Sequence, residues 1–157
     1  MNAIKESFDN LPAAICIFSS KWLVRLMNRR MLAVGAMLLG SGIQTLGELQ
    51  AVLKNPPETV TKDAAMPGVY HFPDGSALRF SEHEITDRDG QRYTEVIAAD
   101  VSELMAVRTR LDAENARLDA ANEALRKLGE EMADIVREEE ILNMKIRVHD
   151  DIGYSLL

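Results

Sequence analysis

The chain has 157 residues, enough for one compact domain with an extension or for two small domains. Its 46% hydrophobic content is ordinary for a globular protein, and a 5% aromatic share favours a helix-rich one. The net charge of −7, with no basic cluster anywhere, argues against a nucleic-acid surface.

In chain order, the first two strand candidates are 14–18 (Ala-Ile-Cys-Ile-Phe) and 23–27 (Leu-Val-Arg-Leu-Met). The polar turn Ser19-Ser20-Lys21 between them predicts a hairpin. Cys16 sits among isoleucines and reads as a small buried hydrophobe; as a single cysteine it fits a reducing, cytoplasmic compartment. After Asn28, residues 29–39 carry an apolar helical pattern that Gly40 and Gly42 end. The stretch 31–40 is the best membrane candidate, but it falls well short of the ~20 apolar residues a span needs. No basic-then-apolar signal pattern opens the chain, so no membrane segment is expected. A second helix is predicted over 45–53, since Thr45 with Glu48 three residues later resembles a capping box.

Residues 54–67 hold three prolines and read as loop. Strands are then predicted over 69–72, 77–86 and 92–99, joined by the turns Pro73-Asp74-Gly75 and Asp87-Arg88-Asp89-Gly90. His71 and His83 fall in these strands. With no Cys/His cluster nearby they read as surface histidines rather than haem or metal ligands. Met27, Met31, Met37 and Trp22 read as core rather than as a cofactor box.

Two strands, two helices and three antiparallel strands make an α+β domain, and this order resembles a PAS domain with a five-stranded sheet. The likeness covers roughly residues 5–104. Leu11-Pro12-Ala13-Ala14-Ile15 resembles the entry to the first PAS strand, and Asn28 stands where these domains often place an asparagine. Asp100-Val101-Ser102-Glu103 resembles the tetrad that closes the last strand and starts the output helix. Chemistry suits that tetrad: Ser102 is a good helix cap, Glu103 favours the positive helix end, and Asp100 is placed to fix the joint through backbone N–H groups. A small-molecule sensor whose PAS pocket binds a cofactor of unknown identity is a third alternative, compatible with either functional reading below. The flavin-linking cysteine motif of light-sensing relatives is not evident around Cys16.

After Val101 the composition changes. There is no proline, and 13 acidic residues face 8 basic ones, which marks a solvated helix. Leu104, Leu111, Leu118, Leu125 and Met132 recur every seven residues, with Val107, Ala121, Leu128, Ile135 and Leu142 on the partner position and Glu114 the exception. Such a stripe predicts a coiled coil over 102–140 and, lacking a partner in the chain, a homodimer. Glu123/Lys127 and Lys127/Glu131 are spaced to pair along an exposed face. Gly129, about 1 kcal/mol worse than alanine in a helix, softens the run without breaking it.

Beyond Glu138 the stripe widens to Ile141, Met144, Val148, Ile152 and Leu156, flanked by Leu142 and Ile146, the pattern of a bundle helix. At about 100° per residue His149 lies at the edge of this stripe, while Asp150 and Tyr154 lie together on the other side. A histidine is a competent nucleophile near neutral pH, and an adjacent carboxylate can take or orient the proton on its other ring nitrogen.

His149-Asp150, Ile152-Gly153 and Leu156, following a coiled coil and a sensor-like domain, resemble the phospho-acceptor box of sensor histidine kinases of the His-Asp-x-Leu/Ile-Gly subfamily. The resemblance makes His149 the phosphorylated nucleophile and Asp150 its helper. It implies two-component signalling, with ATP and Mg²⁺ supplied by a downstream ATP-binding domain and a response regulator as the acceptor.

The nucleotide-binding boxes of that domain are not among these residues, so this chain alone is expected to be inactive, the N-terminal portion of a longer protein. On this reading 1–101 is the sensor domain, 102–140 the coiled coil and 141–157 the start of the dimerisation helix. Relatives often carry a glutamine four residues after the aspartate, where it helps dephosphorylate the regulator. Tyr154 stands there instead, and the likeness does not extend to phosphatase activity. The competing class is a non-catalytic PAS and coiled-coil module for dimerisation or partner binding.

Overall fold

A computed structural model describes residues 3–155. Along β1 (Ala14–Phe18) every second side chain, Ala14, Cys16 and Phe18, is buried. The same alternation runs through β6 (Arg92–Asp100), where Thr94, Val96 and Ala98 are buried. The two strands pair antiparallel with Cys16 opposite Val96, and that register puts both buried rows on one face.

Beyond β1 lies β2 (Val24–Met27). Beyond β6 lie β5 (Ala77–Thr86), β4 (Val69–His71) and β3 (Thr61–Lys62). The result is an antiparallel sheet of six strands in the order β2-β1-β6-β5-β4-β3. The expected α+β class holds, with one strand more than the five read from the sequence. The extra strand, β3, falls in the proline-containing stretch and pairs through two residues only, too few for any periodicity to show.

Three helices accompany the sheet: α1 (Ala3–Asp9), α2 (Arg29–Leu39) and α3 (Leu46–Lys54). From α2, Met31, Val34 and Leu38 join Leu46 and Leu49 of α3 in one core with Cys16, Phe18 and Val96. Gly40 ends α2 at φ 69°, a left-handed position that suits glycine. The capping box on α3 forms as expected, with Glu48 N–H donating to Thr45 Oγ1 at 3.2 Å and Thr45 N–H donating to Glu48 Oε2 at 3.3 Å. The short helix α1 has no buried residue and no sequence signal strong enough to announce it.

Asn28 is the polar centre of this unit and is fully buried. Its Oδ1 accepts from Met31 N–H at 3.0 Å, capping α2, and from Ile15 N–H at 3.0 Å. Its Nδ2 donates to Ala13 O at 2.8 Å and to Phe8 O at 3.4 Å. One amide thus ties α1, the entry to β1 and the start of α2 together.

At the other end of β6, Asp100 Oδ1 accepts from Ser102 N–H at 2.9 Å and also from the Ser102 hydroxyl. Ser102 Oγ in turn accepts from Ala77 N–H at 2.8 Å. The expected capping role of Ser102 is therefore corrected. It is the first helical residue of α4 (Ser102–Ser155), and its hydroxyl serves the β5 backbone instead of the helix end. Asp100 fixes the joint through a backbone N–H, as expected.

The chain divides into two compact units, Met1–Val107 and Arg108–Leu157. Among the described residues no helix is long and apolar enough to cross a membrane.

Candidate functional site

His149 and Asp150 lie in α4, and neither is buried. The His149 side chain is 89% exposed and that of Asp150 65%. The nearest approach between them is 3.9 Å, from His149 Nδ1 to Asp150 Oδ1. That is ion-pair range but beyond a hydrogen bond, so the carboxylate neighbours the ring without yet holding its proton.

His149 borders a shallow apolar depression with Met144, Val148 and Ile152, which matches its expected position at the edge of the stripe. The packing that an oriented imidazole needs is not supplied by the single chain. Leu156 and the side chain of Tyr154 lie outside the described residues.

The heptad row upstream is apolar and exposed. Leu104, Leu111, Leu118, Leu125, Leu128, Met132, Ile135 and Leu142 are each roughly half exposed or more. Leaving such a row in water is unfavourable, since burying one Leu or Ile side chain contributes about 1.5–3 kcal/mol. Glu114, the exception on the stripe, has its carboxylate held by Arg117 at 2.6 Å. The expected pairs through Lys127 are replaced by Arg126, which bridges Glu123 at 2.6 Å and Glu130 at 2.5 Å. The bond from Arg126 draws the Glu123 carboxyl below its usual range. Arginine is favoured because its planar fork meets a carboxylate with two parallel N–H groups.

No protein-family model matches the sequence, and no curated protein matches it.

The remaining sequence candidates lie in the first unit. His71 Nε2, in β4, lies 3.0 Å from Oδ2 of Asp63, the residue that follows β3, and that bond, with backbone N–H groups of Met66 and Ala65, pulls the Asp63 carboxyl down to about 2. His83 faces Glu95 across the β5–β6 ladder. Among the described residues no cluster of three or more His, Cys, Asp or Glu is arranged to hold a metal ion. Cys16 is buried, and burial pushes its thiol up to about 12, which leaves it inert rather than nucleophilic.

Met31 is core and Met27 and Met37 pack against it, as expected. Trp22 is the correction in this group. It is 55% exposed, stands outside the core, and adopts φ 65°, the only positive φ at a non-glycine among the described residues. A Trp beside apolar runs carries no sign that its backbone is left-handed. The only hint was its place after Ser19-Ser20-Lys21 in a tight turn.

Proposed function

We propose that this chain is the sensor and phospho-acceptor portion of a two-component histidine kinase, in which His149 receives the γ-phosphoryl group of ATP and passes it to a response regulator. The observation that carries the reading is the pairing of an exposed imidazole at the rim of an apolar stripe with a carboxylate at the next position. In the proposed step His149 Nε2 attacks the γ-phosphorus, the bond to the bridging oxygen breaks, and ADP leaves. Asp150 faces Nδ1 and, after a modest side-chain rotation, takes or orients its proton. ATP and Mg²⁺ belong to a nucleotide-binding domain outside these residues.

The sheet order and the two helices between β2 and β3 support a PAS-like sensor over 1–101. The half-exposed heptad row supports a parallel homodimeric coiled coil over 102–140, leading into the dimerisation helix from 141. Dimerisation would supply the packing that His149 lacks in the single chain, because the widened stripe from Ile141 to Ile152 would be covered by bundle partners. The exposed row by itself equally supports the second reading, a non-catalytic dimerisation module. Acid-labile label on His149, in a chain joined to the ATP-binding domain that the first reading requires, separates the two; a dimer that never labels is the module.

A further inference from the structure

Trp22 is held in its left-handed backbone by its neighbours. Its N–H donates to Ser19 O at 2.9 Å, and its carbonyl accepts from Leu46 N–H at 2.9 Å, at the start of α3. A left-handed residue with a side chain is disfavoured by roughly 1–2 kcal/mol, which is why glycine is the usual occupant. The largest side chain available stands there and is left half in solvent. Strain at an exposed aromatic points to a role for the ring.

Trp22 lines an open cleft of about 370 Å³ together with Thr45, Leu46, Gly47 and the exposed Gln50 and Glu82. Glu82 is the only formal charge in the wall. Both of its oxygens accept from Gln50 Nε2, at 3.3 and 3.1 Å, which orients the carboxylate without neutralising it. Among the described residues no Lys, Arg or His pairs with Glu82 within ion-pair distance.

The Glu82 carboxylate repels an anion, and at the helix end beside it Glu48 N–H is already on Thr45 Oγ1 and Leu46 N–H on Trp22 O. One carboxylate is too few to hold a metal ion. An indole and an oriented carboxylate lining one cleft are the combination that attracts an organic ammonium, by cation–π attraction and by charge.

We propose that the cleft between Trp22, the start of α3 and Glu82 binds a small alkylated ammonium. The inference is independent of the phospho-acceptor reading, since it concerns a different unit and is read by binding alone.

Trp22 is the only tryptophan in the chain, so its fluorescence reports the site directly. The test titrates the 157-residue chain with choline and, separately, with 3,3-dimethylbutan-1-ol, which has the same shape and no charge. A saturable change with choline, at least about fivefold weaker with the neutral alcohol, is expected, and Glu82→Gln should weaken choline binding by a similar factor. Trp22→Gly relieves the backbone, so it should fold normally and show no choline heat by calorimetry. A choline response that never saturates, equal affinity for the neutral alcohol, or undiminished binding by Glu82→Gln or Trp22→Gly would overturn the proposal.

Discussion

Replacing Asn28 by alanine tests how the first unit is held together. The side chain is fully buried and makes four hydrogen bonds, three of them at 3.0 Å or shorter. Alanine leaves Ile15 N–H, Met31 N–H and Ala13 C=O without their Asn28 partner around a side chain that is itself fully buried. Each unsatisfied buried group costs about 1–3 kcal/mol, and the loss of the α2 cap is counted within the Met31 bond. Taking the lower part of that range, the sum is roughly 3–5 kcal/mol, a large fraction of the 5–15 kcal/mol typical of a domain. With a urea slope near 2 kcal/mol per molar, the midpoint should fall by about 1.5–2.5 M. Unfolding of this unit can be followed by Trp22 fluorescence. Asn28→Asp keeps the acceptor for both N–H groups but turns an oxygen toward Ala13 O, so it should fall between wild type and alanine. A loss under about 1 kcal/mol for Asn28→Ala would show that Asn28 is not the polar tie described above.

Leu118→Lys with Leu125→Lys should place charge in the exposed seam and give monomers by light scattering; a dimer that survives both would move the interface away from α4. Asp63 is held down to about 2 by its His71 bond, against an ordinary 3.8, so its stabilising contribution is present above pH ~4 and lost as pH falls toward 2. Asp63→Asn should therefore lower the melting temperature at pH 6 and converge with wild type near pH 2; a constant gap would exclude the linkage. Cys16, buried with its thiol raised to about 12, should react with alkylating reagents only as fast as the first unit unfolds, and labelling at the rate of a free peptide thiol would contradict its burial.

Most elements of the first unit were legible because their signals are local. The bounds of α2 and β5 follow from Asn28, Gly40 and the Pro-Asp-Gly and Asp-Gly turns that flank them. The Thr45/Glu48 capping box announced α3 to within a residue. What escaped has no local signal. β3 exists only through its pairing with β4, α1 buries nothing, and the Ser102 hydroxyl bonds a backbone group 25 positions away in sequence. Lys127 has glutamates four residues away on either side and Arg126 has them three and four away, both pairing distances on a helix, and only side-chain geometry separates them. At the site, the rim position of His149 was readable from helical periodicity, whereas the 3.9 Å gap to Asp150 depends on rotamers that spacing does not specify. Trp22 was misread as core because an aromatic in an apolar neighbourhood usually is.

The central claim is the nucleophile. In a chain joined to the ATP-binding domain that the proposed function requires, γ-labelled ATP with Mg²⁺ should put acid-labile, base-stable label on His149 alone. His149→Gln should abolish it, and Asp150→Asn should slow it by about 10²–10⁴-fold with the dimer intact. Unchanged kinetics in Asp150→Asn would remove only that carboxylate's role. Undiminished labelling of His149→Gln, or label on His71 or His83, would contradict the account.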